Sequence, residues 1–161
     1  MKPTIYISGP YSADSLIDRQ QNILNAKRRY VAALATGEWW AVCPHTHTAE
    51  MEMHLPGVDH DEWLRMDIAM LAGCDAIWVY INDRLSPGMK LELAWAKLAN
   101  MPLFYTWSVK IINKGGDTDT YESIDLSTET GLINDMVSRG EIPDPKTYKG
   151  SVLTRGKNES D

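Results

Sequence analysis

Hydrophobic and polar residues alternate along this chain in blocks that predict four strands separated by helices. The strand-like blocks are short and rich in β-branched and aromatic residues, and each ends at a Gly, a Pro or a polar residue. Longer segments with apolar residues three or four positions apart lie between them and predict helices. The predicted strands are residues 4–8, 39–43, 74–81 and 102–107.

Capping residues mark where the predicted helices begin. Asp14 or Ser15 suits the start of the first helix, which continues to about Thr36, and Asp59 or Asp61 suits the start of the second, which Gly73 ends. Ser86 suits the start of a third, Ala-rich helix. The inner stripes are expected to be Ile23, Ala26, Tyr30, Val31 and Leu34 on the first helix, and Trp63, Met66, Met70 and Leu71 on the second.

The alternation of strands and helices predicts an α/β fold. Short connections between such units are typical of a parallel sheet covered by helices, so we expect a three-layer sandwich that is flavodoxin-like or Rossmann-like. Ligands of these folds bind beyond the carboxyl ends of the strands. The loops expected there, residues 9–14, 44–60 and 82–88, are also the most polar loops of the chain.

The pattern weakens after the fourth strand. Residues 109–129 have no clear periodicity and are expected to form a surface excursion, and residues 130–139 predict a last helix. We therefore expect one domain over residues 1–143. Residues 144–161 are polar and are expected to form a flexible tail.

Composition narrows the classes of function. The chain has 161 residues, 43% of them hydrophobic, which suits one globular domain. A net charge of −6 argues against a nucleic-acid polymer as partner, although a single nucleotide needs only a few donors. Cys43 and Cys74 lie in apolar sequence and are expected to be buried, reduced thiols. With no secretory signal and no membrane-spanning stretch, we expect a cytoplasmic protein.

The segment from Ser86 to Glu92 is the first candidate site. Ser86 suits the N-cap and Pro87 the first helical position, so the helix begins with unpaired N–H groups and a positive dipole end that favour an anion. Gly88 permits close approach of a ligand, and Glu92 lies one turn further on the same face. The alternative is an ordinary capped helix with a solvent-facing carboxylate.

The segment after the second strand is rich in histidine. His45 or His47 is expected to enter the ligand cleft, or to be a simple loop residue. A metal site with His54, His60, Glu50 and Glu52 is conceivable, but the spacing matches no strong zinc pattern, so we predict no metal. Most of the tryptophans are expected to pack in the core or an interface. Trp63 is the best candidate for stacking on a base.

Three motifs resemble those of a known superfamily. The first strand ends in aromatic-x-x-Gly-Pro at Tyr6 to Pro10; Asp67 lies on the helix before a Cys-Asp-Ala-Ile-Trp-Val strand; and small-x-Gly-x-x-x-Glu, from Ser86 to Glu92, opens a helix. Their order and spacing over residues 4–107 resemble the nucleoside 2-deoxyribosyltransferase superfamily, including small relatives that cleave nucleoside 5′-monophosphates.

The resemblance implies a role for each matching position. Glu92 would be the nucleophile that attacks the anomeric carbon, and Asp67 would protonate the departing base or orient nearby groups. Tyr6 would help to fix Glu92, and Gly9 with Pro10 and the rest of the loop would line the sugar and phosphate end. Two carboxyl groups suit this chemistry because an oxocarbenium-like transition state needs one ionised group and one that carries a proton.

Ser86 departs from the deoxyribosyltransferases proper, which usually carry an Asp there. A serine resembles the monophosphate-cleaving relatives, because an Asp would repel a phosphate that a helix start would accept. Ser8, Ser12 and Arg19 would add further donors. These residues favour a nucleoside 5′-monophosphate, although Ser is also simply a good N-cap.

We therefore expect an N-glycosidase that releases the base of a (deoxy)nucleoside 5′-monophosphate. The alternatives are a deoxyribosyltransferase that exchanges bases and a nucleotide-binding protein without turnover. A dinucleotide-binding oxidoreductase is disfavoured, because the loop after the first strand lacks Gly-x-Gly-x-x-Gly. No cofactor is expected, and the superfamily implies a homodimer or a larger homo-oligomer. The base, the sugar and the acceptor stay open at this point.

Overall fold

Four parallel strands form the centre of the domain. The computed structural model describes residues 1–81, 84–107 and 124–150. The strands are β1 (Thr4–Ser8), β2 (Trp40–Val42), β3 (Ala76–Ile81) and β4 (Leu103–Trp107), and their order in the sheet is β2-β1-β3-β4. All three neighbouring pairs are parallel. The predicted α/β fold with a parallel sheet is confirmed, and the strand order is that of flavodoxin-like folds.

Five helices and two 3₁₀ turns accompany the described strands. The predicted caps Ser15, Asp59 and Ser86 each accept a hydrogen bond from the backbone N–H three residues later. The helices are α1 (Leu16–Ala35), α2 (Pro44–His47), α3 (His60–Ala72), α4 (Pro87–Leu98) and α5 (Ser127–Ser138), and the 3₁₀ turns are Met51–Met53 and Pro145–Thr147.

The alternation of side chains along the strands divides the core in two. Ile5 and Ile7 of β1 face α1 and pack with its Ala26 and Ala33. Tyr6 lies on the opposite face, in the larger cluster that contains residues of α3, α4 and α5. Helices therefore cover both faces of the sheet. Whether a residue of β1 is odd or even in number decides on which face of the sheet its side chain packs.

The structure corrects parts of the predicted pattern. Val31 and Met66, both predicted on inner stripes, are 60% and 40% exposed, whereas Ala33 and Ile68 are buried. A helix stripe is wide enough that spacing alone does not locate its edges. The predicted loop after β2 begins as the short helix α2, because Pro44 occupies the first helical position.

The beginning of the predicted tail is part of the domain. Pro145 is buried, and Tyr148 packs edge-on against Trp95 with ring centroids 6.2 Å apart. The Tyr148 hydroxyl also lies 3.2 Å from the carbonyl oxygens of Cys74 and Asp75, to which it donates. The expectation of a tail from residue 144 is therefore wrong for its first residues, and residues 151–161 lie outside the described ones.

Cys43 and Cys74 are free thiols, and both are buried, as their apolar sequence predicted. The predicted excursion at residues 109–129 lies largely outside the described residues, which resume at Ile124, and so do Asn82 and Asp83 of the loop before α4. Within the described ranges, no helix has both the length and the apolar character needed to cross a lipid bilayer.

Candidate active site

A cavity opens at the carboxyl edge of the sheet, where the loops after β1 and β2 meet α3 and the start of α4. In this strand order the chain runs in opposite directions from β1 and β3, and a crevice forms between the segments that follow them. The lining residues are Gly9, Tyr11, Ser12, Pro44, His45, Thr48, His60, Trp63, Leu64, Asp67, Ser86, Pro87, Gly88, Met89 and Glu92.

Glu92 is held at the inner end of this cavity by two hydroxyl groups of β1. The Tyr6 hydroxyl donates to Glu92 Oε1 at 2.7 Å, and the Ser8 hydroxyl donates to Oε2 at 2.5 Å. Both donors reach the same side chain because residues 6 and 8 of a strand point to the same face. Glu92 is only 7% exposed, so these bonds replace the water that a surface carboxylate would have.

Asp67 of α3 is the second carboxyl group of the cavity, and it has a different environment. Its Oδ1 atom is buried without a hydrogen-bond partner among the described residues. Burial, and secondly the charge of Glu92, raise the pKa of Asp67 from 3.8 to about 8. An unpaired buried oxygen favours the neutral acid.

The two carboxyl groups therefore have different surroundings, which affect their protonation differently. Burial raises the pKa of Glu92 from 4.5 to about 7, and the hydrogen bonds from Ser8 and Tyr6 oppose that rise. Glu92 accepts two hydrogen bonds that favour its charged form, whereas Asp67 Oδ1 has no partner among the described residues, so the negative charge of the pair is favoured on Glu92. This asymmetry favours one carboxylate and one carboxylic acid, which is the combination that nucleophile-and-acid chemistry uses.

The start of α4 forms another wall of the cavity. The Ser86 side chain caps the helix by accepting from Met89 N at 3.3 Å, and Pro87 follows at the first helical position. Gly88 and Glu92 lie on the same face and both line the cavity. A Cβ atom at Gly88 would lie 3.2 Å from Leu64 Cδ2, so glycine lets α3 and α4 approach closely at the opening.

His45 is fixed in one tautomer by the loop after β1. Its Nε2 atom lies 3.0 Å from the carbonyl oxygen of Pro10, which can only accept, so Nε2 carries the hydrogen. Nδ1 is buried and has no partner within the described ranges. Burial lowers the pKa of His45 from 6.5 to about 4, which keeps the ring neutral. Nδ1 of His45 is therefore a hydrogen-bond acceptor without a donor among the described residues.

Trp63 and Tyr11 line the cavity from opposite segments. Trp63 lies on α3 one turn before Asp67, and its Nε1 atom is buried without a partner among the described residues. Tyr11 lies in the loop after β1, with its ring edge-on to His45 at 5.5 Å between centroids. Trp63 thus lines the same cavity as Asp67, and its indole N–H has no acceptor among the described residues.

Gly9 is required by the packing beneath the loop. A Cβ atom there would lie 2.0 Å from Cζ of Tyr80, whose side chain is completely buried on the α1 side of the sheet. The Arg29 guanidinium also lies over this ring, 4.1 Å from its centroid. The turn that leads from β1 into the cavity therefore depends on the absence of a side chain at position 9.

The structure brings together most of the residues predicted from the sequence. Eight of them line the cavity: Gly9, Ser12, His45, Trp63, Asp67, Ser86, Gly88 and Glu92. Tyr6 and Ser8 lie behind Glu92, and Pro10 holds His45. Arg19 does not line the cavity; its guanidinium lies 5.7 Å from the centre of the Tyr11 ring.

Several lining residues were not predicted from the sequence, and one predicted alternative, His47, does not line the cavity. Tyr11, Thr48, Leu64 and Met89 were not singled out, although Tyr11 and Thr48 lie in loops expected at the carboxyl edge. His47, the alternative to His45, is turned away, with Nδ1 2.8 Å from the carbonyl oxygen of Cys43. In the part of the chain that the structure describes, no three His, Cys, Asp or Glu residues are grouped as metal ligands would be.

The fold and the cavity define a parallel α/β domain with a buried carboxyl pair at its switch point. A family model described as a domain of unknown function, DUF7768, matches residues 3–106, and the chain belongs to this family. The match covers the whole sheet except the end of β4, as well as the segments that line the cavity. A search of curated proteins found no match to the chain.

Two solved structures similar to this chain are nucleoside-processing enzymes by name. A 2-deoxyribosyltransferase from Bacillus psychrosaccharolyticus is 17% identical, over 78% of this chain and 95% of that one, with a TM-score of 0.48. A 2-desoxiribosyltransferase from Leishmania mexicana is 15% identical, over 74% and 79%, with a TM-score of 0.47.

We predict that Gly9→Ala destabilises the protein by roughly 2–3 kcal/mol, because the new methyl group overlaps the buried Tyr80 ring. Urea unfolding followed by tryptophan fluorescence measures the change. Gly131→Ala is the matched control, since a Cβ atom there meets nothing within 4 Å and alanine favours a helix. Equal midpoints for Gly9→Ala and the wild type would contradict this account of the turn.

We also predict that the protein loses stability as the pH rises from 6.5 to 8. The raised pKa values of Asp67 and Glu92 mean that the folded state holds protons which the unfolded chain has released. The lowered pKa of His45 has the opposite effect, but only below its unfolded value of 6.5. The free energy of unfolding should therefore fall by roughly 1–2 kcal/mol across this window.

The matched variants for this measurement are Asp67→Asn and Asp61→Asn. The first removes a titrating group of the pair and should flatten the dependence on pH, whereas Asp61 is exposed on the same helix and its replacement should leave the slope unchanged. A wild-type free energy of unfolding that stays constant or rises between pH 6.5 and 8 would refute the assignment of a neutral acid to the cavity.

Proposed function

We propose that this protein cleaves the N-glycosidic bond of a nucleoside or a nucleoside 5′-monophosphate, with Glu92 as the nucleophile and Asp67 as the acid. The observation that supports the proposal is the unlike pair of carboxyl groups in one cavity. Glu92 has a hydroxyl donor on each oxygen, whereas Asp67 has a buried oxygen with no partner among the described residues.

The first step forms one bond and breaks another at the anomeric carbon. A Glu92 oxygen bonds to C1′ as the bond from C1′ to the base nitrogen breaks, and the bonding electron pair leaves with the base. Asp67 gives its proton to the base, which departs neutral and leaves Asp67 as a carboxylate. The product is a glycosyl ester of Glu92, formed through an oxocarbenium-like transition state that the Glu92 charge stabilises.

The second step returns both carboxyl groups to their starting states. An acceptor attacks C1′, its proton passes to the Asp67 carboxylate, and the electron pair of the C1′–oxygen bond returns to Glu92. Water as acceptor gives hydrolysis. A second base as acceptor gives base exchange. The two outcomes share Glu92 and Asp67 and differ only in what enters the cavity after the first base has left.

The start of α4 supports recognition of the 5′ end of the substrate. Ser86 and Gly88 line the same cavity as Glu92, and the helix N-terminus there offers N–H groups and a positive dipole end to a phosphate. The Ser86 oxygen accepts from Met89 N, so its own hydrogen can be donated to a ligand. Trp63 and His45 complete the cavity with one fixed donor and one fixed acceptor.

Release of free base tests the proposed activity. The full-length protein is incubated with a panel of ribo- and deoxyribonucleosides and their 5′-monophosphates, with and without a second base, and the products are separated by chromatography. We expect Glu92→Gln to lower the rate by about 10³-fold or more and Asp67→Asn by roughly 10²–10⁴-fold. Both variants should still bind the substrate in a thermal-shift assay.

Glu38→Gln is the matched control, because Glu38 is exposed in the turn before β2 and its replacement removes a carboxylate far from the cavity. Free base with water alone identifies hydrolysis, and a new nucleoside formed only with a second base identifies transfer. Binding without either product from any substrate would identify a nucleotide-binding protein and would refute the enzymatic proposal.

Ser86→Asp distinguishes a phosphate from a hydroxyl group at the 5′ end. Aspartate caps a helix as well as serine does, so the fold should be retained. Its negative charge should raise the KM for 5′-monophosphates at least tenfold, and leave the KM for the matching nucleosides within about twofold. An equal change for both substrate classes, measured by steady-state kinetics at fixed ionic strength, would exclude a phosphate contact at this position.

A further inference from the structure

The side chain of Ser8 does not lie where the sequence analysis predicted. The sequence placed it among the substrate-binding donors, yet its side chain is 1% exposed and does not line the cavity. Its hydroxyl instead donates to Glu92 Oε2 at 2.5 Å, from the last residue of the inner strand β1, where Ser8 pairs with Val79 of β3. Ser8 is therefore committed to Glu92 before any ligand enters.

We propose that Ser8 is a positioning residue that, together with Tyr6, holds the Glu92 carboxylate in the orientation and ionisation state needed for attack. This inference rests on the proposed function, because it assigns Ser8 to the same nucleophile. The family resemblance implies no role for Ser8 towards Glu92, so this assignment comes from the hydrogen bond between them.

Two hydroxyl donors prevent rotation of the Glu92 carboxylate. The terminal torsion of a glutamate side chain is soft, so a carboxylate held at one oxygen still turns about its last bond. Tyr6 holds Oε1 and Ser8 holds Oε2, and the two donors are fixed two residues apart on one strand. Both oxygens are therefore fixed, and so is the plane of the carboxylate relative to the cavity.

Several acidic groups lie near enough to Glu92 to feel its charge. The Glu92 charge raises the pKa of Tyr6 of β1, Asp67 of α3, Tyr80 of β3 and Cys43 after β2. Because these groups are acids, none of them stabilises the negative charge of Glu92 by an opposite charge. The hydrogen bonds from the two hydroxyl groups do stabilise it, and Ser8 lowers the pKa of Glu92 more than Tyr6 does.

The same donors bear on the second chemical step. A carboxylate that departs from C1′ regains its negative charge in a buried place, and hydroxyl groups already aimed at its oxygens stabilise that charge without reorganisation. Loss of Ser8 should therefore slow the release of the sugar from Glu92, besides reducing the ionised fraction of the free enzyme. Accumulation of the glycosyl ester would be seen as a burst of free base followed by a slower steady rate.

The test compares Ser8→Ala, Ser8→Thr and Ile7→Val with the wild type. In Ser8→Ala we expect the acid limb of the profile of kcat/KM against pH to move up by about one pH unit, and kcat at pH 6 to fall by roughly 10–100-fold. Ser8→Thr keeps the hydroxyl and should restore the position of the acid limb. Ile7 is buried on the other face of β1, so Ile7→Val should change stability alone.

The proposal would be overturned if the acid limb lay at the same pH in Ser8→Ala and in the wild type, and if Ile7→Val lowered the rate as much as Ser8→Ala did. If Ser8→Ala does not fold, Ser8→Cys takes its place, since a thiol has a similar size but is a weak donor and should also move the limb upward. Urea unfolding of each variant separates loss of fold from loss of positioning.

A second readout separates this inference from the proposed function. Carbon-13 NMR of protein labelled at the glutamate carboxyl groups follows the titration of Glu92 without substrate, with Glu92→Gln to assign its signal. If the wild type releases no base from any substrate, the proposed function fails, but a higher titration midpoint in Ser8→Ala still supports the action of Ser8 on Glu92. Unchanged midpoints refute that action whatever the activity.

Discussion

The hydrogen bonds between β1 and Glu92 are the interaction on which the site depends. They join an inner strand of the sheet to the second turn of α4, and they hold a carboxyl group that is only 7% exposed. A buried carboxylate without such partners would be costly and would take up a proton. With them, Glu92 can stay ionised while Asp67, with an unpaired oxygen, keeps the proton.

The strand order explains why this pair is accessible to a ligand. Because β1 lies between β2 and β3, the segments that follow these three strands converge at one edge. The loop after β1 brings Gly9 and Tyr11, the segment after β2 brings His45, and the segment after β3 leads into α4. Helix α3 crosses the same edge with Trp63 and Asp67. Residues that are far apart in the chain thereby surround a single cavity, with the carboxyl pair at its inner end.

Fixed polarity is a second property of the cavity. His45 is locked as an acceptor by its bond to the Pro10 carbonyl, and the Trp63 indole can only donate. Rigid groups of known polarity select a ligand by the pattern of its own donors and acceptors, since a mismatch leaves a buried group unpaired. The cavity therefore combines a buried carboxyl pair with a donor on α3 and an acceptor on α2 whose polarity is fixed.

Local patterns predicted the strands, the helix starts and most of the cavity from the sequence. Ser15, Asp59 and Ser86 cap their helices as expected, because capping needs only a side chain and the backbone three residues later. Inner stripes were less well predicted. Val31 and Met66 have suitable spacing but are exposed, since the edge of a stripe depends on how far the neighbouring elements extend over it. The packing of Tyr148 against Trp95 joins residues more than 50 positions apart, and no local pattern announces it.

The sequence by itself determined the fold class, the position of the cavity and the identity of its two carboxyl residues, because periodicity, caps and motif order are local properties of the chain. Only the tertiary structure decided what the neighbouring side chains contact. It turned Ser8 from an expected substrate donor into a partner of Glu92, explained Gly9 by the Tyr80 ring, and placed Arg19 on Tyr11 outside the cavity lining. All three contacts join residues of β1, of the loop after it or of α1 to other parts of the domain. They depend on how segments that are distant in the chain pack together, which local patterns do not specify.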